Sequence, residues 1–208
     1  MGRYTDAVCR LCRRETEKLF LKGTKCFTEK CPITKRAYAP GQHGTIKTKL
    51  SNYGVQLREK QKVKRMYGVF EKQFRKYFEM ASKKKGVTGK VLLQYLERRL
   101  DNVIFRMGVA ISRAQARQLV RHNFVHVNSR RVNIPSFFVS KDDIIEIKTK
   151  EKSAKKISEN LEISKDRTVP AWIEFVPAEL KAKIIRLPEK EDIQQTIQEQ
   201  LIVELYSK

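Results

Sequence analysis

The chain has 208 residues, 40% of them apolar, and 45 Lys and Arg against 23 Asp and Glu give it a formal net charge of +22. Ten Phe and seven Tyr supply enough apolar bulk for one or two cored domains, which excludes an intrinsically disordered chain. The charge makes a compact fold repel itself unless a polyanion neutralises it, so nucleic acid is the expected partner.

No run approaches the roughly 18 apolar residues of a membrane-spanning helix, and the first twenty residues lack a signal-peptide core. Met1-Gly2 would suit myristoylation, but Asp6 stands where that pattern wants Ser or Thr. The chain is therefore expected in the cytoplasm, where thiols stay reduced. Its charge is uneven: +18 over 1–100, +3 over 101–147 and +1 over 148–208. The first half is the polyanion-binding half, and the near-neutral tail suits protein contact.

Residues 1–50 read as an irregular basic segment holding all four cysteines, Cys9, Cys12, Cys26 and Cys31. The spacing Cys-x2-Cys-x13-Cys-x4-Cys lets two tight turns close a tetrahedron around Zn²⁺. Four filled positions make such a metal structural, and the neighbouring Arg and Lys favour thiolate. An iron–sulfur cluster is the alternative. A segment this poor in apolar residues needs a metal to order it. "YAPGQHG", with Pro40, Gly41 and Gly44, is a loop.

Residues 51–85 read as helix, with Val63, Met66, Tyr67, Phe70, Phe74, Tyr77 and Phe78 at core spacings and Gly68 dividing it. "SKKKGVTGK" at 82–90 is a turn, and Leu92, Leu96, Leu100, Val103, Ile104 and Met107 form the stripe of one further helix. Ser112 and Gln115 make a capping box that starts the next helix, on which Arg113, Arg117 and Arg121 are four apart. His122-Asn123 ends it. No acidic residue lies between Arg113 and Arg131, so these cations are expected to lack protein partners and to seek phosphates. On that reading Arg117→Ala leaves stability alone. Strands are expected at 124–127, 130–134, 143–147, 172–176 and 182–187, with 148–168 polar and either helix or loop. "IQEQLIVELYS" closes the chain as helix or strand. The sum is α+β.

The stretch "LERRLDNVIFRMGVAISRAQARQLVRHNFVHVNSRRVNIPSFFVSKDDIIEI" closely resembles the S-four family of small-subunit ribosomal proteins. "MGRYTDAVCRLCRR", the cysteine box, "YAPGQHG", "YGVQLREKQKVKRMYG" and "QEQLIVELYSK" extend the likeness to its bacterial form over essentially the whole chain, weakest at 148–168.

The resemblance implies a helical domain carrying the metal-bound amino-terminal segment, plus a small helix-turn-helix and β-sheet RNA-binding module. The expected division is 1–50, then 51–97 with a return of the chain end at about 190–208, then 98–189. It implies binding to the 5′ domain of small-subunit rRNA, early in assembly and near the mRNA entry path. It also implies neighbours in the S-three and S-five proteins, an influence on decoding accuracy through S-five, and in some bacteria repression of the protein's own operon. Matching RNA-contact positions in the module are Ser112, Arg113, Gln115, Arg117, Gln118, Arg121, Asn128 and Arg131. In the first half they are Arg3, Tyr4, Arg13, Lys35, Arg36, His43, Lys47, Tyr53, Gln56, Arg58, Lys60, Lys62 and Arg65. The family usually has Gly in the turns held here by Asn123-Phe124 and Asn128-Ser129, and Asn can supply the positive φ they need.

The same module occurs in RNA-modifying enzymes, so an RNA-binding or RNA-modifying protein outside the ribosome is the competing reading. Arg99-Leu100-Asp101 resembles a pseudouridine synthase tripeptide, but Leu100 belongs to the apolar stripe, and Asp101 is expected to pair with Arg98 and Arg106. His43, His122 and His126 have no nucleophile beside them, so no catalysis is expected. The cysteine spacing is not that of a DNA-reading finger.

Overall fold

The computed structural model describes all residues except 1, 3, 47, 48, 150, 166, 194–196 and 208, and leaves out the side chains of 151–153. The chain forms two compact units, Met1–Leu92 with Gln195–Lys208, and Leu93–Gln194.

The first unit is helical. The cysteine-bearing segment is not wholly irregular: it holds α1 (Cys9–Glu15), a 3-10 turn (Gly23–Cys26) and α2 (Pro32–Lys35). α3 (Asn52–Met66) starts where the Ser51 hydroxyl accepts from the Gly54 amide. It stops before Gly68, whose φ of +62° costs glycine nothing sterically, and α4 (Glu71–Ser82) follows. Phe74 and Tyr77 are fully buried as their spacing requires, whereas Phe70 caps α4 and is 48% exposed. The closing segment is helix α9 (Glu199–Tyr206), and it packs along α3.

Helix α5 (Thr88–Glu97) leads into the second unit. The stripe from Leu92 to Met107 is buried throughout, yet it spans two helices, α5 and α6 (Leu100–Arg106). The break is imposed from afar. Arg99 turns extended and bridges Phe138, and the Leu100 and Asp101 amides donate to the carbonyls of Phe137 and Pro135. α7 (Arg113–Arg121) then begins at Ser112, whose hydroxyl accepts from the Gln115 amide, while Gln115 Oε1 accepts from Ile111 N–H.

A five-stranded antiparallel sheet completes the unit in the order β2-β1-β3-β5-β4. Its strands are β1 (Val125–Val127), β2 (Arg130–Arg131), β3 (Ile144–Ile147), β4 (Ile173–Val176) and β5 (Lys181–Ile184). β2 is shorter than the expected 130–134. Val125, Val127, Ile145, Ile147, Ala182 and Ile184 face a core shared with α6, α7 and the fully buried Trp172. The polar stretch after β3 is helix α8 (Glu151–Ile163). Asn123, Asn128 and Ser129 all have positive φ, so these residues hold left-handed turns without glycine. Among the described residues no helix is long and apolar enough to cross a membrane.

Candidate nucleic-acid interface

Cys9 and Cys12 lie on α1, Cys26 ends the 3-10 turn and Cys31 precedes α2. Cys12 and Cys31 pack in a small core with Leu19 and Ile33; Cys26 is buried too, and Cys9 is half-buried. Lys22 N–H points at Cys26 Sγ, 3.4 Å away. Burial pushes the Cys12 thiol up, the Leu19 amide pulls it back, and the charges of the other three cysteines push it further up. Burial likewise raises Cys26. The four thiols thus feel one another's charge, and donor type, number and order fit a structural metal. As placed, however, among the described residues no three His, Cys, Asp or Glu are spaced to hold an ion.

The basic residues of the first unit divide into two groups. Many are tied down. Arg13 donates to the carbonyls of Tyr38 and Ala39 and lies over the Tyr38 ring. Arg58 and Arg65 both pair with the buried carboxylate of Glu15. Lys60 meets Glu71 at 2.7 Å, and Lys62 bridges Glu59 and Glu17 at 3.0 and 3.4 Å. Gln56 donates to Glu204 of α9. Tyr4, Lys35, Arg36, His43 and Tyr53 face solvent instead. Arg3 and Lys47 lie outside the described residues.

In the second unit the acid-free run has partners after all, supplied by α6. Asp101, 4% exposed, is held by two bonds from Arg99 at 3.0 and 2.7 Å and by Arg117 at 3.3 Å. Arg106 and Asn102 both donate to the buried Glu97. Arg113 donates to Asn102 at 2.8 Å and lies 4.5 Å over Phe105, which Arg167 also covers at 5.1 Å. Asp101 therefore pairs with Arg99 and Arg117 rather than with the expected Arg98 and Arg106. Arg106 serves Glu97, and Arg98 bonds the Val139 carbonyl at 2.7 Å. Enclosed and doubly paired, Asp101 is not open to a substrate.

What α7 and the hairpin leave outside is a smaller set. Gln118, Arg121, Arg130 and Arg131 are exposed. Asn128 is exposed too, but its amide clamps the turn, donating to Asp143 at 2.8 Å and accepting from Ile144 N–H at 2.9 Å. Ser112 is spent on its cap. Arg130 is exposed like Arg131 but is not among the expected contact positions, so only its place in the turn marks it. The three arginines are cations of fixed charge beside a helix end and a tight turn, suited to phosphate oxygens.

The family model for the ribosomal protein S4/S9 N-terminal domain matches residues 3–97, and that for the S4 domain matches residues 98–145. Small ribosomal subunit protein uS4 of Thermodesulfovibrio yellowstonii is 59% identical over 208 residues, spanning the whole of both chains. That of Acetivibrio thermocellus is likewise 59% identical, and uS4A of Symbiobacterium thermophilum 57%, each again over the full length of both chains.

Proposed function

This chain belongs to the uS4 family of small ribosomal subunit proteins, and from that premise we propose that it binds the 5′ domain of small-subunit rRNA as an early assembly protein. It is a structural component of the small subunit. Its partners are rRNA and neighbouring ribosomal proteins, S-five and S-three among them, and its place is near the mRNA entry path of the cytoplasmic ribosome. Contact with S-five bears on decoding accuracy. It acts by binding and catalyses nothing.

The observation that carries this reading is at the module's surface. The side chains of Arg121, Arg130 and Arg131 are exposed and have no hydrogen-bond or ion-pair partner among the described residues. Cations left unpaired on a chain of net charge +22 are a phosphate-binding surface. The near-neutral balance of 148–208 supports a protein-contact role for the tail.

The amino-terminal segment adds a structural metal. Cys9, Cys12, Cys26 and Cys31 hold Zn²⁺, with an iron–sulfur cluster as the alternative. Bound there, the metal supplies folding free energy that the small core of Leu19 and Ile33 does not. Metal analysis and the visible spectrum of protein purified without oxygen distinguish the two. About one zinc per chain with no visible absorption is expected, and metal-free protein that keeps its amino-terminal fold would overturn the role.

The functional test is titration onto a 5′-domain transcript, with tRNA and duplex DNA as competitors, at several salt concentrations. Tight binding that survives competition is expected. Binding equal for all three nucleic acids and lost with salt would instead mean that the module acts outside the ribosome.

A further inference from the structure

Helix α7 carries a second polar edge that the arginine stripe does not use. Gln118, Leu119 and His122 follow one another at helical spacing, on the side of α7 away from Arg113 and Arg117. They line a cavity of about 190 Å³, and Gln115, whose Oε1 is taken up by Ile111 N–H, Phe124 and the α8 residues Lys156, Ile157 and Asn160 form the rest of its wall. The volume lies below the ~300 Å³ at which pockets begin to enclose drug-sized ligands, so it suits one flat heterocycle.

The wall chemistry narrows the occupant. Phe124 offers an aromatic ring, and Leu119 and Ile157 offer aliphatic contact to a ring's faces. Asn160 is buried and is fixed by donating to the Val109 carbonyl at 3.0 Å, so its amide is held in place at the cavity. The Gln118 amide stands exposed at the mouth, without a hydrogen-bond partner among the described residues. An amide presents a donor and an acceptor side by side, the pair that meets adenine N7 and N6. Lys156 and His122 are exposed at the rim, and Arg121 lies next to His122 on the same helix end. Among the described residues no acidic one lines the cavity. A neutral ring with an attached phosphate fits this arrangement, and an acidic or purely apolar side chain does not.

We infer that this slot between α7 and α8 takes a single unpaired base of the bound RNA, with adenine preferred, while Arg121 holds the backbone beside it. Sequence-selective RNA recognition works mainly on such splayed bases, because the major groove of an A-form helix is closed to side chains. The inference rests on the reading of the protein as an rRNA binder. It adds what that reading lacks, a place where the protein distinguishes one nucleotide from another.

The test uses the full-length protein and the 5′-domain transcript, probed with dimethyl sulfate, which methylates N1 of each unpaired adenine left open to solvent. Three proteins are compared: wild type, Gln118→Glu, which keeps the side chain's shape but removes its donor, and Arg121→Ala. Circular dichroism checks that each is folded. Wild type should protect one unpaired base that Gln118→Glu leaves reactive, with an affinity loss of about tenfold. Arg121→Ala should keep that protection while lowering the salt slope. Identical protection by wild type and Gln118→Glu, at equal affinity, would overturn the slot and leave rRNA binding standing. No binding by wild type at all would overturn the rRNA reading and the slot with it.

Discussion

Arg117 shares a helix stripe with Arg113 and Arg121, and spacing alone makes the three equivalent. Their surroundings separate them. Arg117 reaches the buried Asp101, and burial pulls its guanidinium below the ordinary arginine range. Removing it leaves Asp101 with Arg99 as its remaining partner. Arg117→Ala is therefore expected to cost about 1.5–3 kcal/mol, the range for one lost charged hydrogen bond, in a denaturant titration. The sequence-based expectation of no stability change is thereby withdrawn. Arg121→Ala should stay within about 0.5 kcal/mol of wild type and lower the slope of log K against log salt by about one. Equal behaviour of the two variants in both measurements would show that surface and core are misassigned. The spacing of the stripe was legible in the sequence; the partners were not, because Asp101 and Asn102 lie outside the acid-free run and reach it only through the folded crossing of α6 and α7.

Helix α9 shows what an element needs in order to dock. Tyr206 donates to Glu71, which also accepts from Lys60 and Lys64, and its ring stacks on Phe78 at 4.6 Å. Burial alone would raise the Glu71 carboxyl, but the hydrogen bonds from Lys60, Lys64 and Tyr206 outweigh it and hold the group down to about 2. A carboxylate held below its ordinary value stabilises the fold above that value and loses the contribution as it protonates. The docking of α9 should therefore weaken between about pH 4.5 and 2. Glu71→Gln should flatten that part of the acid-unfolding curve.

Gly89 provides a second check on the same helix. A β-carbon there would lie 2.5 Å from Glu199 Cγ and 2.9 Å from Glu199 Cβ. In an open helix Gly→Ala gains up to about 1 kcal/mol. Here Gly89→Ala should lower the unfolding midpoint, because α9 must move; a raised midpoint would show that the two helices are not in register at Glu199. Periodicity located α3, α4 and α7 because their apolar spacing and caps are local. It missed the break between α5 and α6 because the stripe continues unbroken through residues whose backbone is claimed by Pro135, Phe137 and Val139. It left α8 undecided because a polar helix has a weak pattern, and with α8 it missed the Lys156, Ile157 and Asn160 wall of the cavity.

For the whole molecule, the formal charge overstates what is offered to a polyanion. Arg58, Lys60, Lys62, Arg65, Arg99, Arg106 and Arg117 are all engaged with carboxylates of the chain. Charge-neutralising substitutions at the exposed Lys35 or Arg36 should each lower the salt slope of RNA binding by about one without changing stability. Arg58→Ala should do the reverse, since it strips a partner from the buried Glu15. Salt titrations paired with denaturation curves read both. The candidate RNA positions were legible as residue types in a basic half; which of them remain outside was settled by carboxylates distant in sequence.

The division of the first unit between the two ends of the chain has a consequence in time. Everything from Leu93 to Gln194 is translated after the helices α3 and α4 and before their companion α9. At about 5–20 residues per second, that interval lasts on the order of 5–20 s. Through it Glu71 has no Tyr206 hydroxyl to bind, and Phe78 has no ring above it. The second unit, contiguous in the chain, can fold first, and the half that begins the protein is the half that finishes last. A chain cut short just before Glu199 would hold the whole RNA-binding module and an open helical face.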